Sequence, residues 1–81
     1  MKVRVQFFSS LRDIVGAPDL HLDVADNTRV AQVLAILFER HPQLRQWDAS
    51  ILIGAGVEFV DRDYEIQPGD DLAIMPPVQG G

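Results

Sequence analysis

Apolar alternations near both ends of the chain, one apolar stripe of helical spacing and a run of turn signals predict an α+β fold. The expected architecture is one mixed sheet with one main helix packed on one face. A single amphipathic helix and a single sheet must cover each other's apolar sides, which gives two layers. Eighty-one residues make one such domain, near the lower limit for a core without disulfides or metal.

In residues 2–8, Val3, Val5 and Phe7 alternate with Lys2, Arg4 and Gln6, the period of a half-buried strand. Phe8 breaks the alternation by putting an aromatic ring on the polar side. Ser9 and Ser10 offer N-caps for a short helix over 11–15, which Gly16 closes. Ala17-Pro18-Asp19 reads as a turn. Leu20, Leu22 and Val24 then alternate with Asp19, His21 and Asp23, a second strand that pairs with the first as a hairpin. Asp26, Asn27 and Thr28 supply caps for the main helix, 29–40. Its Val30, Val33, Leu34, Leu37 and Phe38 recur at i, i+3, i+4, i+7 and i+8, a single buried stripe. Arg40 and His41 suit the negative end of the helix dipole, and Pro42 stops the helix and starts a short turn. Leu44 and Trp47 pin that segment to the core.

Residues 51–54 read as a strand, with Gly54-Ala55-Gly56 at or near a tight turn and 57–60 as its return. Asp61-Arg62-Asp63 is a turn and 64–66 a short extended piece. Pro68-Gly69-Asp70-Asp71 is a strong turn signal before the last strand, 72–75. The long connection between the first and last strands places them side by side, parallel, in the middle of the sheet. That is the β-grasp arrangement. The domain spans 1–75, and 76–81 forms an extended tail rooted on a central strand.

Composition excludes several functions. Hydrophobic residues make up 47% of the chain and the formal charge is −5, which disfavours disorder and phosphate-backbone binding and favours a partner with a basic groove. No apolar run is long enough for a membrane span and no signal peptide opens the chain, so a cytoplasmic location is expected. With no cysteine there is no thiol nucleophile, thiolate metal site or disulfide. Lys2 is the one lysine, which disfavours self-conjugation. His21 and His41 sit on different elements without a neighbouring ligand, so no metal site is expected. Asp61, Asp63, Asp70 and Asp71 match no calcium loop and read as solvated turn carboxylates. Gly54-Ala55-Gly56 lacks the third glycine and following helix of a dinucleotide site. Ser9 and Ser10 have no base and no nucleophile elbow. No catalytic constellation is present, so the chain is not expected to be a catalyst alone.

The tail is different. Pro76 and Pro77 fix their own φ and make a stiff root, while Gly80 and Gly81 carry no Cβ and fit a slot too narrow for side chains. Six extended residues reach about 20 Å, enough to enter a partner's active site. Chance or a cloning scar also produces two terminal glycines. The functional expectation is that the Gly81 carboxylate is the reactive group, because no cysteine competes with it. On the sheet face away from the helix, Phe8, Ala73 and Met75 point outward near the tail root. They make either a docking patch or the seat of a covering loop. Phe59 is a further docking candidate whose face the sequence does not settle.

The segment Gly69-Asp70-Asp71-Leu72-Ala73-Ile74-Met75-Pro76-Pro77-Val78-Gln79-Gly80-Gly81 closely resembles the end of the small, sulfur-carrying subunit of molybdopterin synthase, within the MoaD/ThiS group of ubiquitin-like proteins. There a Gly-Asp-Glu turn leads into an apolar strand and Pro-Pro-Val-x-Gly-Gly. Val5-Gln6-Phe7-Phe8-Ser9-Ser10-Leu11-Arg12-Asp13-Ile14-Val15-Gly16 is similar to the family's strand, aromatic pair and Leu-Arg-Glu-x-x-Gly turn. Thr28-Arg29-Val30 with its helix and Val60-Asp61-Arg62-Asp63 fit the pattern, so the match covers essentially the whole chain. One departure is Ala55-Gly56, where relatives often carry Val-Asn or Asn-Gly. Gly56 can supply the same positive φ, so the departure bears on any partner contact made by that Asn side chain and not on the fold. The resemblance implies that Gly81, with Gly80 beside it, is adenylated by a ubiquitin-activating-type adenylyltransferase using ATP. A persulfide protein then donates sulfur, leaving a thiocarboxylate. Pro76, Pro77, Val78 and Gln79 carry the tail into the large subunit, within a heterotetramer, where the sulfur passes to cyclic pyranopterin monophosphate. The resemblance implies no cofactor bound by this chain, and the pterin belongs to the large subunit. Alternatives are a carrier for thiazole synthesis or tRNA thiolation, and a non-covalent β-grasp binding module.

Overall fold

The computed structural model describes residues 1–77. The elements are β1 (Lys2–Phe7), α1 (Ser9–Val15), β2 (Asp19–Asp23), α2 (Val30–Arg40), a 3-10 turn (Pro42–Trp47), β3 (Leu52–Ala55), β4 (Glu58–Val60) and β5 (Asp71–Met75). The five strands form one sheet in the order β2-β1-β5-β3-β4. The outer hairpin strands β2 and β4 run antiparallel to β1 and β3. The two middle strands, β1 and β5, are parallel, with Val5 opposite Leu72 and Phe7 opposite Ile74. This is the β-grasp order expected from the length of the connection. β5 therefore has a neighbour on both sides, and its end at Met75 is held by the antiparallel pairing of Leu52 with Met75.

The core follows from two periodicities. Val3, Val5, Phe7, Ile53, Leu72 and Ile74 alternate to one face of the sheet, and Val30, Val33, Leu34 and Leu37 recur on one face of α2. All are buried and belong to one cluster, with Leu11, Leu44 and Ile66. Burying one such aliphatic side chain stabilises the fold by about 1.5–3 kcal/mol. Phe38, expected in the stripe, is only half-buried and packs at its margin. Trp47 likewise packs on the core's edge.

Local details differ from the sequence expectations. The serines do not cap α1: Phe8 occupies the N-cap with extended backbone, and Ser9 is the first helical residue with φ 52°. The parallel ladder explains this, because the Phe8 N–H donates to Ile74 O at 3.2 Å and keeps Phe8 in line with β1. Gly16 does close α1, in the left-handed region, with its N–H on Arg12 O. The main helix begins at Val30, one residue later than expected, with Arg29 as its N-cap. Thr28 Oγ1 donates to Ala25 O rather than capping the helix, and Asn27 takes a positive φ in the turn. The first helical N–H groups find distant acceptors instead: Val30 N–H reaches Tyr64 O and Ala31 N–H reaches Arg62 O, each at 3.0 Å. Gln32 Oε1 accepts from Arg29 N–H at 2.8 Å. The segment after β4 thus straps across the helix start. Arg62 holds the strap by donating to both the carboxylate and the carbonyl of Asp48. The expected extended piece at 64–66 is reduced to a single bridge between Arg29 and Glu65.

A candidate docking face at the tail root

Residues that alternate away from the core make the other face of the sheet. Register brings them into rows. Gln6 stands opposite Ala73, Ala73 opposite Gly54, and Gly54 opposite Phe59. One step toward the tail, Leu52 stands opposite Met75. Phe8, held by its bond to Ile74 O, lies beside the same end of β5. The expected outward residues Phe8, Ala73 and Met75 are therefore brought together. Phe59, unplaced from sequence, joins them on this face.

The face is uneven. Phe59 is 72% exposed, Phe8 43% and Leu52 38%; Ala73 and Met75 are half-buried. Gly54, Gly56, Val57, Glu58, Phe59, Ala73 and Met75 line an apolar groove open to solvent. At the far end of the same face, Arg4 Nε donates to Asp19 Oδ2 at 2.9 Å, and Arg4 Nη1 lies 3.9 Å from Asp71 Oδ2. One half of the outer face is thus an ion-paired surface and the other a cluster of apolar side chains. Among the described residues no loop covers that cluster as a buried layer, and large exposed apolar clusters mark interaction sites.

Val57 and Gly54 line the groove and Leu52 lies on the same face opposite Met75, and none of the three is among the site residues expected from sequence. Leu52 was legible in principle, because it alternates with buried Ile51 and Ile53. Gly54, expected at or near the turn, lies within β3, and the turn itself falls at Gly56, whose φ is +63°. Pro76 and Pro77 follow β5 directly, half-buried and outside any strand or helix. Val78, Gln79, Gly80 and Gly81, which carry the expected tail insertion and reactive carboxylate, lie outside the described residues.

The histidines and turn carboxylates noted in the sequence do not line the groove. His21 pairs across from Arg4 in the β1–β2 ladder, and His41 is the C-cap of α2. Asp61 Oδ1 accepts from Asp63 N–H. Asp70 Oδ2 accepts from Tyr64 Oη–H at 2.7 Å and from Gln67 N–H at 2.8 Å, tying the strap to the last turn. That hydrogen bond, then burial and the charges of Asp70 and Glu58, raise the Tyr64 pKa above its ordinary value. No group of three or more potential metal ligands occurs among the described residues. Nor is any helix among them long and apolar enough to cross a membrane.

This geometry has counterparts among known proteins. The ThiS family model matches residues 5–81. The molybdopterin synthase sulfur carrier subunit of Escherichia coli is 30% identical, over 98% of this chain and 99% of its own. The human molybdopterin synthase sulfur carrier subunit is 29% identical, over 99% of this chain and 94% of its own. Among solved structures, SAMP1 from Haloferax volcanii matches with a TM-score of 0.86 at 26% identity, each chain being covered over 100% of its length. On the family match, on the relative at 30% identity and on the shared β-grasp fold, the chain belongs to the ThiS family.

Proposed function

We propose that this chain is the sulfur-carrier subunit of a molybdopterin synthase, with Gly81 as the carrying residue. The carrying observation is positional: the exposed apolar face converges on Met75, and the strand that ends there runs straight into Pro76 and Pro77. A partner seated on that face is placed to take the tail. The names of the relatives support the choice of cargo.

The chemistry asked of the tail is specific. A carboxylate is a poor electrophile, so its oxygen must first attack the α-phosphorus of ATP on an activating enzyme, releasing pyrophosphate and leaving an acyl-adenylate. The terminal sulfur of a persulfide then attacks the acyl carbon and AMP departs, giving an acyl disulfide. A thiol cleaves the S–S bond, becoming part of a new disulfide and leaving the Gly81 thiocarboxylate. Its sulfur is a better nucleophile than carboxylate oxygen. In the large subunit it attacks an oxygen-bearing carbon of the pterin precursor, the C–S bond forming as a C–O bond breaks and the oxygen leaves, and hydrolysis of the resulting thioester returns the Gly81 carboxylate and frees the carrier. Two such transfers build the dithiolene. Within this scheme the described residues dock and aim: the apolar face holds the partner, and the proline pair starts the tail on an extended path.

Intact-mass spectrometry tests this after incubation with ATP, the cognate activating enzyme and a persulfide donor. The expected result is a mass gain equal to one oxygen replaced by sulfur, localised to Gly81. An unchanged mass under conditions in which the activating enzyme modifies its known carrier contradicts it. Adding the large subunit and the pterin precursor then separates molybdopterin synthesis from thiazole synthesis and tRNA thiolation.

A further inference from the structure

Three of the described glycines, Gly16, Gly56 and Gly69, have positive φ and serve turns or caps that side chains resist. Gly54 does not. It lies inside β3, where a glycine weakens a strand and often marks close approach of another molecule. A Cβ built there meets Met75 Cε at 3.5 Å, Glu58 O at 3.6 Å and Ala73 Cβ at 3.7 Å, all ordinary contacts. Neither backbone angle nor packing within the chain calls for glycine at this position. Alanine would fit, and would stabilise the fold by limiting the unfolded chain.

What glycine does at 54 is keep the groove floor low. Gly54 and Ala73 are neighbours in register, so the two smallest side chains of the outer face lie together. Gly54 is buried with the Met75 methyl beside it, and Phe59 and Met75 line the groove together with the pair. We propose that the Gly54–Ala73 floor is a slot that seats one bulky apolar side chain of the sulfur-accepting subunit, and that it sets how tightly that subunit docks. This rests on the carrier reading above and identifies the contact at the same face. Two features select the occupant. Met75, one wall of the slot, is the residue before Pro76, and 76–81 reach about 20 Å, so a subunit that takes the tail covers the slot. Glu58 stands exposed on the rim of a chain with formal charge −5, so the occupant's neighbouring side chain is basic. Met75 is a suitable wall, because a thioether side chain adapts its rotamer to an incoming group.

The test compares Gly54→Ala, Gly54→Val and Phe59→Ala for melting temperature and for affinity to the molybdopterin synthase large subunit of the same organism. Gly54→Ala is expected to melt at or above the wild-type temperature yet to bind about tenfold more weakly, the size of a one-methyl overpacking effect. Gly54→Val is expected to bind more weakly still. Should Gly54→Val lose its fold, Gly54→Ala decides alone. Wild-type affinity in the folded Gly54 variants, with weakened binding in Phe59→Ala, overturns the slot and leaves the docking face standing. Failure of the wild-type chain itself to bind the large subunit overturns the carrier reading, and the slot with it.

Discussion

The two faces of the sheet are made by alternate residues of the same strands, yet they have opposite fates. On the inner face Val5, Phe7, Leu72 and Ile74 are sealed beneath α2. On the outer face Phe59, Ala73 and Met75 line a groove open to solvent, and Phe8 and Phe59 stay exposed. The inner face is satisfied within the chain; on the outer face Phe8, Leu52 and Phe59 are left exposed by the other described residues. The comparison teaches a division of labour. Substitutions inward should change folding, and substitutions outward should change assembly while leaving folding nearly untouched.

The largest break of that division comes from the inner face. Leu37→Ala removes a fully buried side chain of α2 and is expected to destabilise the fold by about 2–5 kcal/mol in denaturant titrations, through lost burial and the cavity left behind. A cost within the range of a surface change would remove the basis for calling this face the core. On the outer face, Phe59→Ala is expected to alter folding stability by less than about 0.5 kcal/mol. The same variant should lose about 1–2 kcal/mol of affinity for the large subunit in calorimetry, as a truncated aromatic anchor does. If stability falls and binding holds, the assignment of the two faces is reversed.

Two smaller effects sharpen the comparison by touching neither face. Gly16→Ala forces a left-handed residue at φ 83° and should cost about 1 kcal/mol of stability without weakening docking. Tyr64→Phe removes the hydroxyl held by Asp70. The folded state raises the Tyr64 pKa above 10.0, so between the unfolded and folded values the native chain binds more protons. The associated stability is present below about pH 10 and is lost as pH rises through the folded value. Alkaline melting curves should therefore fall less steeply above that pH in Tyr64→Phe than in the wild type.

Strand order and the buried stripe were legible because they rest on periods: two for Val3, Val5 and Phe7, and 3.6 for Val30, Val33, Leu34 and Leu37. The caps were not. Ser9 and Ser10 have the local chemistry of N-caps, but the hydrogen bond from Phe8 N–H to Ile74 O, distant in sequence, holds Phe8 in extended backbone at the N-cap position. The start of α2 is satisfied by carbonyls of Arg62 and Tyr64, and no local rule finds acceptors so far along the chain. Phe59 could not be placed because a one-residue shift in the turn at Gly56 reverses every side chain of β4. Gly54, read as the end of a strand at 51–54, does lie in β3, which runs one residue further, to Ala55. The outward cluster at Phe8 and Met75 was readable from alternation alone, and so was its position at the tail root.

The division between a folded body that docks and a terminus that reacts is tested most directly by removing Gly81 alone. The shortened chain is expected to melt and to bind the large subunit like the wild type, while conversion of the pterin precursor in the reconstituted system stops. Undiminished conversion by the chain lacking Gly81 would contradict it.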